Sequence, residues 1–513
     1  MTEDEARAEA LALIPRGPVM TLAELESHLA KASDLLRGSI DQADFKAYIF
    51  PLLFFKRISD VYLEEYALAL ADSGGDHQFA AFAENHRFSI PEGCLWSDVR
   101  DRQENLGQAL AKCFREIEQA NPDTLFGIFG QTSIWTNKQK FTDERLRDLI
   151  EHFSERPLTN AMVSPDMFGQ AYEYLIKRFA DQSNRAAGEY YTPRSVVALL
   201  VNILDPTETE TVYDPACGTA GMLIEVINHV KEQGGNPKML RKRLFGQEKV
   251  LTTSGIARMN LFIHGVDDFK IVREDTLRNP AFFDGDRLAQ FDCVIANPPF
   301  SLKAWGADYW SSDPYGRNKF GGVPLATKGD WAWVQHMWAS CAPRTGRVAV
   351  VLPQGALFRS GAEAKVRKWF IDNDLIEAVI GLGPNLFYGT GLAACIMILR
   401  HEKPTSRRQG IRVVNASELF TRGRNQNTLE PEQAAEILRL YQSDDEVEGL
   451  ARQVPVNEIE GNGHNLNLTL YVTPTTDVDS MTLPEAIAAL EEAREAARAS
   501  RRALEAELAK WGL

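Results

Sequence analysis

The chain has 513 residues, too many for one hydrophobic core, so two or three domains are expected. Hydrophobic residues make up 44% and charged residues 25%, an ordinary globular balance. The formal net charge of -15 argues against a chain that grips nucleic acid unaided over a broad surface, while leaving room for a local basic groove or a partner that carries most such contacts.

The six cysteines form no C-x-x-C pair and the nine histidines no H-E-x-x-H pattern. This points to a reducing compartment and to no metal site. With no signal peptide, no apolar run of membrane-spanning length and no G-x-x-x-x-G-K-[ST] loop, the sequence reads as a cytoplasmic protein that is not a P-loop motor.

Residues 1–155 read as an all-helical N-terminal domain. A wide apolar stripe over 44–65 (Phe45, Ile49, Leu52, Leu53, Ile58) predicts a helix, with charges at Lys56, Arg57 and Asp60. Pro51 predicts a kink there or a break into two helices. Further helices are expected over 106–118 and 143–153. No catalytic constellation stands out here, and packing or docking is the plainer reading. Ser164-Pro165 opens another helix, with Phe168, Tyr172, Leu175 and Phe179 on one face.

The stretch GEYYTPR, ending at Arg194, places Thr192 and Pro193 at a helix start whose exposed amides suit a carboxylate. A lone Thr-Pro cap is usually only a cap. A strand over 211–214 then runs into DPACGTAG and a helix, the first unit of a nucleotide-binding α/β fold. Gly218 and Gly221 permit close approach of a ligand, and Asp214 suits an ammonium group. A tight strand-to-helix turn is the rival reading. Strands over 243–248 and 269–275 also end in acids. Glu248 suits two ribose hydroxyls and Asp275 an adenine amino group, although a lone acid at a strand end is more often solvated.

The fourth strand, FDCVIANPPF, stops at Asn297-Pro298-Pro299-Phe300, because two prolines cannot donate to a ladder. An amide, a carbonyl and a ring are thereby held at the mouth of a sheet. That group suits methylation of an exocyclic aryl amine. The Asn297 oxygen and the Pro298 carbonyl would accept both N–H bonds and aim the lone pair at a sulfonium methyl. Phe300 would stack on a base swung out of its duplex. An isolated Asn-Pro-Pro is a turn more often than a site; the elements around it reverse that.

Residues 301–328 read as a long loop in which Trp305, Trp310, Arg317, Lys319 and Phe320 either touch DNA or pack on a neighbour. Strands over 347–353, 375–382 and 393–399 follow. Between the last two, Phe387 or Tyr388 walls the base pocket, or the segment is a plain hairpin. Near the end, 444–448 is an acidic surface run. From Pro484 a long helix carries Ile487, Leu490, Leu504 and Leu508 on a heptad-like seam that Arg494 and Arg501 interrupt, as for docking on a partner helix.

With GEYYTPR, DPACGTAG, GQE, EDTL, NPPF, GRVAVVLPQGALFRSG and GHNLNLTLYV in this order, the chain resembles the modification (DNA adenine-N6 methyltransferase) subunit of type I restriction–modification systems over nearly its whole length. NPPF rather than SPPY favours N6-adenine. The resemblance implies a Rossmann-like seven-stranded core with one reversed strand, spanning 156–475 between the helical domain and a docking tail, 476–513. It implies S-adenosylmethionine as donor, held by Tyr191, Thr192, Pro193, Asp214, Gly218, Thr219, Gly221, Glu248 and Asp275, with Asn297, Pro298, Pro299 and Phe300 on the target adenine. Two modification subunits on one specificity subunit, and a translocase–nuclease subunit in the full complex, are the implied partners besides duplex DNA. Ala220 departs from the glycine of many relatives. The rivals are a protein glutamine methyltransferase, which shares Asn-Pro-Pro chemistry, and a donor-binding scaffold without catalysis.

Overall fold

A computed structural model describes residues 12–15, 17–38, 40–183, 192–387, 391–424, 426–473 and 483–510. The chain forms two compact units, Met1–Val472 and Thr473–Leu513. The second contributes one helix, Leu483–Ala509, with Ile487, Leu490 and Leu504 exposed.

The N-terminal part of the first unit is helical. Helix Leu22–Leu36 opens with a capping box in which Thr21 Oγ1 accepts from Glu24 N at 3.3 Å and Glu24 Oε2 from Thr21 N at 2.8 Å. The expected break at Pro51 is absent, and Phe45–Asp72 is one continuous helix. An interior proline costs about 3 kcal/mol, whereas each fully buried Phe or Leu returns about 1.5–3 kcal/mol. Phe50, Leu53, Phe54 and Phe55 are all buried around it, so packing wins. Lys56, Arg57 and Asp60 are buried too. Lys56 pairs with Asp60, and Asp60 Oδ2 accepts from Leu158 N at 2.6 Å. Arg57 donates to Val163 O at 3.0 Å, and Glu64 accepts from Asn160 N at 2.7 Å. These charges fasten the long helix to the segment leading into the sheet domain. The apolar face of helix Pro165–Ser183 joins the same core.

The remainder is built on one sheet: β1 Val212–Asp214, β2 Leu244–Glu248, β3 Lys270–Arg273, β4 Cys293–Ala296, β5 Arg347–Pro353, β6 Ile376–Leu382, β7 Ala394–Arg400, β8 Gly410–Ala416 and β9 Ala451–Pro455. Their order is β9-β8-β6-β7-β5-β4-β1-β2-β3. The seven expected strands are present, with β7 antiparallel to both β5 and β6. Two more extend the edge: β8 runs parallel to β6, and β9 antiparallel to β8. The period-2 rule sorts β4 cleanly: Cys293 and Ile295 enter the core under helices Arg194–Leu204 and Gly221–Glu232, while Val294 and Ala296 enter the core under helices Asp330–Ala339 and Ala362–Asp372. Helix Leu251–Ile263 joins the halves, turning Ala257 and Leu261 to the sheet and Ile256, Met259 and Phe262 to the N-terminal core.

Residues 301–328 are not an open loop. They contain a short helix, Ala307–Trp310, and a turn of 3-10 helix, Arg317–Lys319. Trp305, Trp310 and Arg317 are buried, and Phe320 packs on Trp369 and Phe370. Packing on neighbours, not display to DNA, is where these rings go. All six cysteines are free and buried. Among the described residues no helix is long and apolar enough to cross a membrane.

Candidate active site

β1 and β4 are parallel neighbours, so their carboxyl ends, Asp214 and Asn297, open at the same rim. A cleft of about 150 Å³ opens there. Thr192, Asp214, Gly218, Thr219, Gly221 and Asn297 all line it. They come from three separate stretches of sequence, Thr192, residues 214–221 and Asn297, which the β-α-β winding unites.

The turn after β1 shapes one wall. Asp214 Oδ1 accepts from Ala216 N at 3.0 Å. Burial, against the opposing pull of that amide, pushes the Asp214 carboxyl up to about 8, with Glu248 adding like charge. Gly218 has a φ of +52°, which favours glycine, and side chains added at Gly218 or Gly221 would meet nothing within 4 Å. The backbone thus stands open to a ligand, beside the unsatisfied first-turn amides of helix Gly221–Glu232. Ala220, buried just before that helix, has a φ of +65°.

At β4, Asn297 Nδ2 donates to Thr192 Oγ1 at 2.8 Å. Asn297 Oδ1 is shielded from solvent and has no hydrogen-bond partner among the described residues. Thr192 therefore does not cap helix Arg194–Leu204; Pro193 occupies the cap position without a side-chain bond, and Asn297 takes the hydroxyl instead. Pro298 is buried and Pro299 half-buried at the corner, and Phe300 meets the buried Phe387 edge-on at 5.6 Å between centroids. Tyr191 and Tyr388 lie outside the described residues.

Two acids sit off the cleft wall. Glu248 accepts from Gly218 N at 3.1 Å and Val250 N at 2.8 Å, bracing the glycine turn. Asp275 is half-buried and pairs with Lys249 at 2.9 Å. Sequence reading missed Asn260. It lies in the last turn of helix Leu251–Ile263, donates to Thr219 O at 3.0 Å, and keeps its own Oδ1 buried at the cleft with no partner among the described residues. A polar Asn on the buried side of an apolar helix was the available signal.

A family model described as N-6 DNA Methylase matches residues 163–480, more than half of the chain, and one described as HsdM N-terminal domain matches 25–153. The chain belongs to the N-6 DNA methylase family. The methylase is 33% identical over 479 residues to the type I restriction enzyme MjaVII methylase subunit of Methanocaldococcus jannaschii, covering 89% of this chain and 79% of that one. It is 27% identical over 500 residues to the MpnII methylase subunit of Mycoplasma pneumoniae, covering 89% and 90%. The crystal structure of a type I restriction-modification methyltransferase subunit from Streptococcus thermophilus superposes on this methylase with a TM-score of 0.76 at 28% identity, over 88% of this chain and all of that one.

The cleft fits S-adenosylmethionine, the donor that this methylase uses. A carboxyl whose ionisation burial opposes, Asp214, waits for a cation; two glycines leave room at the backbone; and Asn260 offers an unused acceptor.

Proposed function

We propose that this chain methylates the N6 amine of adenine in duplex DNA as the modification subunit of a type I restriction–modification complex, and that Asn297 Oδ1 is the atom that captures the amine. S-adenosylmethionine supplies an electrophilic methyl on a sulfonium. Asp214 and Asn260 hold its amino-acid end, Pro193, Thr219 and the main chain at Thr192 complete that pocket, and Gly218 and Gly221 let it lie against the backbone. Glu248 exchanges a bond to Gly218 N for ribose hydroxyls, and Asp275 turns from Lys249 to the adenine of the donor.

The target base leaves its stack and rests on Phe300, which Phe387 supports. Asn297 Oδ1 and the Pro298 carbonyl accept its two N–H bonds, and Pro299 stiffens the corner. An aryl amine is a weak nucleophile because its lone pair is delocalised into the ring. Two aligned acceptors localise that pair and direct it, so the residues act by position and electrostatics. As the nitrogen–carbon bond forms, the carbon–sulfur bond would break to leave a neutral thioether, and the amine would lose one N–H proton to solvent.

The observation that carries this reading is the buried, unpartnered Asn297 oxygen at the rim it shares with Asp214. Buried polar atoms are normally paired, and an exception at a cleft calls for a reason, which the N–H of a bound amine would supply. The family matches disfavour the glutamine methyltransferase and scaffold readings. On this reading the chain divides into a helical domain (1–155), a catalytic domain (156–475) and a docking tail (476–513). A separate specificity subunit reads the DNA sequence, two copies of this chain flank it, a restriction subunit completes the complex, and the assembly works in the cytoplasm.

The test is transfer of labelled methyl to duplex DNA by the chain with its specificity partner. Asn297→Ala should leave donor binding and assembly intact and cut methylation by about 10²–10³-fold or more. A normal rate in that variant would overturn the assignment.

A further inference from the structure

A carboxamide has two unlike ends: its nitrogen only donates and its oxygen only accepts. Which end faces the cleft decides whether Asn297 attracts or repels an amine's N–H bonds. Half a turn about the terminal torsion would present NH2 to NH2. Pro298 and Pro299 carry no N–H, so the two residues that follow offer the amide oxygen no backbone donor. What engages the nitrogen is Thr192 Oγ1, at 2.8 Å across 105 residues of sequence.

That hydroxyl is free of the duty its sequence position suggests, since helix Arg194–Leu204 has no side-chain cap. It stands instead at the cleft, opposite the end of β4. With Nδ2 held there, Oδ1 is left buried and without a partner among the described residues. We propose that Thr192 is a positioning residue for methyl transfer, its hydroxyl holding the Asn297 amide with the oxygen turned toward the target amine. This rests on the reading of Asn297 given above.

Two near-isosteres separate the hydroxyl from the methyl group. Thr192→Val keeps the shape and removes the acceptor; Thr192→Ser keeps the acceptor and removes the methyl. Each is assayed as the full chain with its specificity subunit, using labelled methyl donor and unmodified duplex DNA. Donor affinity is measured separately by calorimetry.

Thr192→Val should lower kcat by about 10- to 100-fold. Its donor Kd and its KM for DNA should stay within about threefold, since the amide acts on the amine only at transfer. Thr192→Ser should keep kcat within about threefold of the unaltered chain. Three results would overturn the proposal: an unchanged kcat in Thr192→Val, an equal fall in both variants, or a loss confined to donor affinity and restored by saturating donor. If the unaltered complex leaves adenine unlabelled, the reading of Asn297 itself fails. If it labels adenine and Thr192→Val does so equally fast, only the role of Thr192 fails.

Discussion

Asp214 is a carboxyl kept from its preferred charge state. Burial holds its pKa at about 8, against an ordinary 3.8. Between those values the ligand-free folded chain binds a proton that the unfolded chain has lost, so stability falls as pH rises across that window. A bound cation reverses the preference and expels the proton. Calorimetry at pH 7, repeated in buffers of different ionisation heat, should find net proton release on donor binding. Asp214→Asn should abolish that release; an unaltered chain that binds donor without it would contradict the assignment. Two residues of sequence away from Gly218, Ala220 carries a different strain. An L-residue in the left-handed region costs about 1–2 kcal/mol, and Ala220 has a φ of +65°. Ala220→Gly should raise stability by about 0.5–1 kcal/mol, part of the gain being lost to greater freedom of the unfolded chain. Thermal melts should show a rise of about 1–2 °C.

At the scale of elements, segment 301–328 is held by one buried cation. Arg317 is 1% exposed, pairs with Asp313 at 2.9 Å, donates to Leu277 O at 3.0 Å, and lies over the Trp310 ring at 4.3 Å. It also reaches His336 Nδ1 at 3.3 Å, whose Nε2 meets the Tyr213 hydroxyl on β1 at 3.1 Å. The segment after the NPPF corner is therefore wired to the strand that bears Asp214. Removing one partner of a buried pair strands the other, at a cost of about 3–5 kcal/mol. Arg317→Ala should open this segment, seen as new proteolytic cleavage within 301–328 and a lowered kcat; a protease-resistant, fully active variant would rule the wiring out. On the far side of the same corner, Asp330 Oδ1 accepts from Ser301 N at 2.6 Å and is paired with Arg359, giving the QGALFRSG stretch a structural task.

At the scale of the molecule, the second compact unit supplies a helix whose Leu490 and Leu504 are half exposed and two heptads apart. Such a seam gains its stability from a partner helix. Ending the chain before Pro484 should leave donor affinity unchanged and reduce co-purification with the specificity subunit. Equal recovery of the trimmed and full-length chains would count against docking by this helix. The net charge of -15 agrees with the proposed division of labour, in which a partner carries most DNA contacts.

The sequence by itself determined the seven core strands and the motifs at their ends, because period-2 patterning and proline or glycine punctuation are local properties of the chain. DPACGTAG and NPPF were legible for that reason. β8 and β9 were not: Arg412 and Arg452 interrupt their apolar runs, and Arg412 is buried through bonds to Leu440 O and Asp445 O that only the folded chain provides. The tertiary structure alone decided that Lys56, Asp60 and Arg317 would be buried, since each depends on a partner elsewhere in the fold or on the packing around it. It also decided that Thr192 would serve Asn297 and not its own helix, because a hydroxyl bonds whatever donor the fold brings within reach.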